Sequence, residues 1–259
     1  MDTLLSSAPN IELLKQVYTC IDNTTLEGSD NCERIRLLCQ KSIEMQNPSK
    51  GVSHVAAICV YPTFVRLAKS LLADSGIRVA SVAGAFPAGQ SPIEVKLMEV
   101  KYAVSQGADE IDMVISRGAF LEGNFEQVAN EISAIRSATQ GLTLKVILET
   151  GELLTPDNIS KASFIAMDAG ADFIKTSTGK ISLSATPEAV QVMVDAASQF
   201  FLRTGKRVGI KVAGGVSSPE QALQYAQIFT RQFGTEFLTN QYFRIGASRL
   251  TDKLFAFLT

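Results

Sequence analysis

The sequence contains a single histidine and no tryptophan among its 259 residues. The one imidazole, that of His54, cannot supply a histidine-rich zinc site or a relay that needs a second histidine. His54 lies just before an apolar segment, so we interpret it as a residue at the edge of a strand or at the surface. Chemistry that depends on several histidines is therefore not expected.

Cysteines and charged residues form few informative patterns. The four cysteines all lie in the first quarter of the chain, form no Cys-x-x-Cys pair and follow no secretory hydrophobic segment. We expect free thiols in a cytoplasmic protein. No apolar run approaches the ~20 residues of a membrane span. No basic tract accompanies the net charge of −2, so neither a membrane nor a nucleic acid is an expected partner.

The sequence does contain a regular alternation of apolar strands and amphipathic helices. Strands are predicted at 19–26, 55–61, 78–82, 110–115, 142–149, from 172, 207–213 and 242–246. Helices are predicted at 10–20, 31–45, 62–74, 91–105, 126–139, 155–168, 186–201, 218–233 and 248–257. Eight such units favour a (β/α)8 TIM barrel with an extra N-terminal helix, as one domain spanning 1–259. A doubly wound sheet is the alternative, but no G-x-G-x-x-G segment follows an early strand.

Helix boundaries repeat along the chain. A hydroxyl residue followed by proline predicts helix N-caps at Ser91, Thr155, Thr186 and Ser218. Gly107 and Gly170 each begin a Gly-Ala-Asp segment that leads from a helix into an apolar strand. In this repeat Asp112 and Lys175 occupy equivalent positions, so both side chains are expected to point to the same side of the sheet.

Charged residues interrupt several predicted strands. Lys175 and Lys211 lie in apolar strands, where a lysine is costly unless it is neutral or paired. Asp112 interrupts another strand, while Lys145 and Glu149 fall on one face of a fourth and are interpreted as a structural pair. Two lysines in one pocket have a chemical use, because a neighbouring ammonium lowers the pKa of an amine that can then attack a carbonyl. A structural ion-pair network is the alternative for each residue.

Glycines cluster in three late loops that follow predicted strands. The segments are Thr178-Gly179-Lys180, Gly214-Gly215 and Gly246-Ala-Ser248. Glycines let backbone N–H groups approach an anion, and barrel phosphate sites commonly use the loops after strands 7 and 8. Each segment alone is also typical of an ordinary turn. Their agreement with the count of strands favours a phosphate site.

Several segments together resemble the deoxyribose-phosphate aldolase family. They are 22–26, 57–62, 110–114, 144–152, 173–180, 211–216 and 244–248, which span nearly the whole chain. The resemblance implies a class I aldolase with a TIM barrel and no metal or cofactor. It also implies a reversible cleavage of 2-deoxy-D-ribose 5-phosphate into acetaldehyde and D-glyceraldehyde 3-phosphate.

The resemblance implies roles for individual residues. Lys175 would form the Schiff base, Lys211 would lower its pKa, and Asp112 with a water would move protons. The residues expected to hold the phosphate are Gly179, Gly214, Gly215, Gly246 and Ser248, with Lys180 nearby. The residues expected to line the pocket are Asp22, Thr24, Cys59 and Thr176. The sequence departs from the family where Arg249 replaces a common serine and Ala88 a common histidine.

Other interpretations remain open at the level of sequence. A transaldolase-like enzyme or an isomerase could use the same phosphate loops, and an isomerase would need no covalent lysine. A barrel that only binds a sugar phosphate and regulates a partner is a further alternative. Apolar residues of the last helix, Phe255 and Phe257, could form a homodimer interface or could close the barrel.

Overall fold

The computed structural model describes residues 8–259 and contains a closed barrel of eight parallel strands. The strands are Ile21–Thr24 (β1), Ala57–Val60 (β2), Arg78–Ala83 (β3), Glu110–Val114 (β4), Thr143–Ile147 (β5), Phe173–Lys175 (β6), Gly209–Ala213 (β7) and Phe243–Ala247 (β8). Each strand pairs with the next, and β1 pairs with β8 to close the barrel. The predicted (β/α)8 barrel is confirmed, and the doubly wound sheet is wrong.

Helices connect the strands and surround the barrel. Within residues 8–259 they are Ala8–Tyr18 (α1), Cys32–Glu44 (α2), Val65–Leu71 (α3), Ile93–Ser105 (α4), Arg117–Leu121 (α5), Phe125–Ala138 (α6), Pro156–Asp168 (α7), Pro187–Thr204 (α8), Pro219–Phe233 (α9) and Leu250–Leu258 (α10). Short 3₁₀ turns occupy Pro48–Lys50, Pro62–Phe64 and Thr235–Phe237. The extra helix α1 packs against α9 and α10. None of the helices in this part of the chain is both long and apolar enough to cross a bilayer.

Three of the four predicted N-caps are confirmed. The hydroxyls of Thr155, Thr186 and Ser218 accept hydrogen bonds from backbone N–H groups three residues later. Ser91 does not cap α4, because Pro92 has an extended backbone, with ψ at 149°, and the helix begins only at Ile93. The prediction of an N-cap at Ser91 is therefore wrong.

Two helical segments differ from the prediction. The helix predicted at 62–74 begins as the 3₁₀ turn Pro62–Phe64 and continues as α3 only to Leu71. The short helix α5 was not predicted, since five residues give too little periodicity to detect. Phe120 of α5 is buried, and its ring centroid lies 5.1 Å from that of Phe125 at the start of α6.

The barrel separates an apolar layer from a charged interior. Outward strand residues such as Val146 and Ile174 are fully buried in the main core between the barrel and the helices. A second apolar cluster occupies one side of the barrel interior. It consists of Leu26, which follows β1, and of alternate residues of β2 and β3, namely Ala57, Cys59, Ala80 and Val82. Charged side chains occupy the rest of the interior, which is where the candidate site lies.

Candidate active site

Lys175 is the last residue of β6, and only 3% of its surface is exposed. Its Nζ atom donates a hydrogen bond to Oδ2 of Asp112 in β4, at 2.8 Å. This contact confirms that the two side chains point to the same side of the sheet. The register of β6 and β7 pairs Lys175 with Lys211, so the lysines extend from adjacent strands into the same interior.

Lys211 is fully buried and contacts two carboxylates. Its Nζ atom lies 2.7 Å from Oδ2 of Asp112 and 2.5 Å from Oδ2 of Asp22. Asp22 also accepts a hydrogen bond from the guanidinium of Arg244 in β8. Lys175 and Lys211 thus donate to the same oxygen of Asp112, but only Lys211 has a second carboxylate.

Lys145 does not pair with Glu149, contrary to the prediction from their spacing. Its Nζ atom lies 2.5 Å from Glu110 and 2.8 Å from Asp112, both in β4. Glu149 lies beyond the end of β5 with a left-handed backbone, at φ 57°, and its carboxylate contacts Thr178 and Arg117 instead. Asp22 and Glu110 join Asp112 as partners, so three buried carboxylates lie among the lysines.

The surroundings shift the pKa values of Lys175 and Lys211 in opposite directions. Burial lowers the pKa of Lys175 most; Asp112 opposes this effect and the ammonium of Lys211 reinforces it, so the pKa lies below its ordinary value. Burial would also lower the pKa of Lys211, but Asp112 and Asp22 outweigh it and raise the pKa above its usual range. Lys211 is therefore a permanent cation beside an amine that can lose its proton.

Asp112 remains ionised despite complete burial. Burial alone would raise its pKa, but the ammonium groups of Lys145, Lys175 and Lys211 hold the pKa well below its usual value. An ionised carboxylate can accept a proton that leaves the neighbouring amine or a bound reactant.

A cavity of about 310 Å³ opens beside Lys175 at the C-terminal ends of the strands. Its lining includes most of the residues predicted to bind phosphate or line the pocket: Thr24, Gly179, Lys180, Gly214, Gly215, Gly246 and Ser248. Arg249 and Glu27 lie at the same cavity, and Nζ of Lys180 is 3.1 Å from the Glu27 carboxylate. The cavity thus combines glycine-rich backbone with two cationic side chains, which suits an anion.

Glycine is required at position 214 by conformation and by space. Its backbone is left-handed, at φ 87°, and a Cβ atom there would lie 2.5 Å from the side chain of Ser184. The neighbouring loop is fixed by Glu149, whose carboxylate accepts hydrogen bonds from the backbone N–H of Thr178 at 3.2 Å and from its hydroxyl at 2.5 Å. Burial raises the pKa of Glu149, against these hydrogen bonds, which lower it.

Three predicted pocket residues lie beneath the cavity rather than in its wall. Asp22 is fully buried between Lys211 and Arg244. Cys59 is buried in the apolar cluster of the interior, where burial raises the pKa of its thiol. Thr176 donates to the carbonyl of Ala213 at 3.0 Å and accepts from its N–H at 2.9 Å, so its hydroxyl joins β6 to β7. A substrate-binding role for Thr176 does not fit these contacts.

Sequence reasoning missed Glu110 and Arg244. Both are fully buried, and the guanidinium of Arg244 contacts the carboxylate of Glu110 at 2.7 Å. The signal was present, because each lies two residues before a predicted site residue, Asp112 or Gly246, and therefore on the same face of its strand.

A lysine with a lowered pKa, beside a second lysine and a carboxylate in a (β/α)8 barrel, is an arrangement that suits a Schiff-base aldolase. The sequence profile of the DeoC/LacD family aldolases matches residues 17–242. The chain belongs to this family of aldolases.

Individual relatives agree with this assignment. Human deoxyribose-phosphate aldolase is 45% identical over an alignment of 253 residues, which covers 93% of this chain and 79% of the human protein. The mouse enzyme is 43% identical with the same coverage. Among solved structures, an aldolase named QR15 matches with a TM-score of 0.77 at 32% identity, over 93% of this chain and 96% of that one. The tetrameric deoxyribose phosphate aldolase of Aeropyrum pernix matches with a TM-score of 0.74 at 26% identity, over 96% and 97% of the two chains.

Proposed function

We propose that this chain cleaves 2-deoxy-D-ribose 5-phosphate reversibly into acetaldehyde and D-glyceraldehyde 3-phosphate, through a Schiff base on Lys175. The observation that supports it best is the position of the Lys175 amine, which lies at the wall of a glycine-lined cavity and beside the permanent cation of Lys211. The names of the human and mouse relatives supply the substrate.

The residues suit each step of this reaction. The neutral Nζ atom of Lys175 attacks the C1 aldehyde, and loss of water leaves an iminium. Removal of the proton from the C3 hydroxyl breaks the C2–C3 bond, which releases D-glyceraldehyde 3-phosphate and leaves an enamine on the lysine. Protonation of the enamine at C2 and hydrolysis of the iminium then release acetaldehyde and restore the amine. We assign the proton transfers to Asp112, acting with a water and aided by Lys211.

We assign the phosphate to the part of this cavity that the glycine-rich loops line. The loops after β6, β7 and β8 place Gly179, Gly214, Gly215 and Gly246 around it, and Ser248 lies beside them. Lys180 and Arg249 add positive charge at its mouth. We propose that these groups bind the phosphate dianion, which fixes the distance between that end of the substrate and the aldehyde at Lys175.

Mass spectrometry after treatment with acetaldehyde and borohydride tests this proposal. Reduction of the imine should add about 28 Da, the mass expected for an ethyl group on an amine. The label should map to Lys175 in the wild type and disappear in Lys175→Ala, while Lys180→Ala, at the mouth of the cavity, should still be labelled. A wild-type protein that turns over the sugar phosphate without any label would instead favour an isomerase. Binding without turnover would favour a regulatory role.

We also propose a cytoplasmic homodimer. The four cysteines are unpaired, which suits a reducing compartment. Phe255 packs on the main core, with its ring centroid 6.0 Å from that of Tyr18, whereas Phe257 is 38% exposed. Sedimentation of the wild type should give a dimer that Phe257→Ser weakens. A monomer at all concentrations would contradict this part of the proposal.

A further inference from the structure

The barrel interior contains a closed set of charged side chains that extends well below the substrate cavity. Within residues 8–259 it comprises three carboxylates and four potential cations, each at most 3% exposed: Asp22, Glu110, Asp112, Lys145, Lys175, Lys211 and Arg244. Strand β3 adds the apolar side chains of Ala80 and Val82 to this interior, and β2 adds the neutral thiol of Cys59. Arg78 of β3 also contacts Glu110, at 3.1 Å, but its side chain is 45% exposed, so its charge is hydrated by water and lies outside this buried set.

The count of charges requires one neutral group among the four cations. Three ionised carboxylates balance three cations, and a fourth buried cation would remain uncompensated at a high cost. Arg244 cannot be that group, because a guanidinium does not lose its proton in a protein. The choice therefore falls among the three lysines.

Contacts with the carboxylates decide which lysine is neutral. Lys145 lies within 3.6 Å of all three carboxylates, and Lys211 contacts both Asp22 and Asp112. Lys175 contacts one oxygen of Asp112 only, and Lys211 donates to that same oxygen. The protonated form of Lys175 is therefore the least stabilised by carboxylates, and Lys175 is also the lysine that borders the cavity.

Glu110 and Arg244 complete this balance without reaching the cavity. The carboxylate of Glu110 pairs with Lys145 at 2.5 Å and with Arg244 at 2.7 Å. Arg244 also pairs with Asp22, and Asp22 in turn pairs with Lys211. We propose that Glu110 and Arg244 are positioning residues that keep Lys175 a neutral nucleophile by fixing the charge of the closed set. This inference rests on the proposed function for its catalytic meaning, but the charge state of Lys175 can be measured without turnover.

The charge count gives opposite signs for the two residues. Arg244→Met leaves three carboxylates against Lys145 and Lys211, so a proton on Lys175 restores the balance and its pKa rises. Glu110→Gln leaves two carboxylates against three cations, so a proton on Lys175 becomes still less favourable and its pKa falls. The double variant Glu110→Gln/Arg244→Met contains two of each charge and should restore the wild-type value. Arg244→Lys keeps the charge and should stay near it.

The experiment is competitive labelling of Lys175 with acetic anhydride across pH, read by peptide mass spectrometry in folded protein. Arg244→Met should raise the midpoint of labelling by about one pH unit, the size of shift typical of a nearby buried charge. Glu110→Gln should lower the midpoint, and the double variant should return it. Glu131→Gln is the matched control, since it removes a carboxylate that pairs with Lys96 at 2.7 Å outside the barrel, and it should leave the midpoint unchanged.

Several outcomes would overturn the inference. They are midpoints that do not move in folded Glu110→Gln and Arg244→Met, shifts of the same sign in both, or a double variant no closer to the wild type than either single one. If Arg244→Met does not fold, the sign of the shift in Glu110→Gln decides, together with retention of the wild-type midpoint in Arg244→Lys. Absence of acetaldehyde trapping in the wild type, with shifts as expected, would reject the proposed function and keep the charge balance.

Discussion

Lys175 and Lys211 donate to the same oxygen atom, Oδ2 of Asp112, at 2.8 and 2.7 Å. A single carboxylate oxygen cannot fully compensate two buried ammonium groups. Lys211 has Asp22 as a second partner, and Lys175 has none among the carboxylates of the described chain. The shared oxygen therefore favours the protonated form of Lys211 over that of Lys175.

Replacement of Lys211 by methionine should raise the pKa of Lys175. Loss of the neighbouring cation removes the repulsion that lowers this pKa, so less neutral amine is present at neutral pH. We expect kcat/KM near pH 7 to fall by at least ~100-fold, which is the size of effect seen when a proton-transfer group is lost. Part of the activity should return at higher pH, where more of the Lys175 amine is neutral. A pH–rate profile checks this. A uniform loss at every pH would show that Lys211 acts only through proton transfer.

Acid should destabilise the protein through the barrel carboxylates. Burial raises the pKa of Asp22, Glu110 and Asp112, but their cationic neighbours outweigh it and hold each pKa below its ordinary value. Their contribution is therefore complete above the unfolded pKa, about 4, and is lost as pH falls from there towards the folded pKa values. Urea denaturation should show a steep decrease in the free energy of unfolding below about pH 4.

Asp112→Asn tests the source of this acid sensitivity. It should make the dependence on pH below about 4 shallower and should cost about 3–5 kcal/mol at pH 7, because buried ammonium groups lose their partner. Asp252→Asn is the control, since Asp252 forms a surface pair with Lys41 and is half-exposed. An equal slope in wild type and Asp112→Asn would contradict the assignment.

Gly214→Ala should weaken phosphate binding. The backbone at this position is left-handed, which disfavours alanine, and the new methyl group would collide with the side chain of Ser184. The loop after β7 must therefore move. We expect KM for the phosphorylated substrate to rise about tenfold, as for the loss of one good polar contact, with little change for 2-deoxyribose. Gly205→Ala also places alanine at a positive φ, 72°, but has open space around it. It should cost some stability and leave KM unchanged, and equal effects of both variants on KM would count against the phosphate site.

Glu149→Ala should loosen the loop that contains Thr178 and Gly179. Its removal leaves the buried N–H of Thr178 without a partner, which costs about 1–3 kcal/mol. We expect a higher KM for the sugar phosphate and an unchanged position of the acetaldehyde label on Lys175. Glu152→Ala is the comparison, because Glu152 pairs with the same Arg117 but is 40% exposed. If hydrogen exchange of 176–180 is no faster in Glu149→Ala, this anchoring role is wrong.

The sequence alone predicted the barrel because its signals are local. Apolar strands, proline after a hydroxyl residue and left-handed glycines such as Gly107 and Gly170 act over a few residues. The failures were local as well. Pro92 adopts an extended conformation, so the Ser91 hydroxyl does not cap α4. Helix α5 has only five residues, too few to show a helical pattern of apolar residues.

The sequence also determined which residues can perform the chemistry, since only certain strand positions hold lysine or aspartate in apolar surroundings. Their partners were decided by tertiary structure. Lys145 and Glu149 share one predicted strand, yet Lys145 pairs with Glu110 and Asp112 of the neighbouring strand. Pairing inside a closed barrel depends on the register of neighbouring strands and on distances between residues far apart in the chain, such as Asp22 and Arg244. The pKa of each lysine depends on those distances, so only the folded barrel distinguishes Lys175, whose pKa is lowered, from Lys145 and Lys211, whose pKa values are raised.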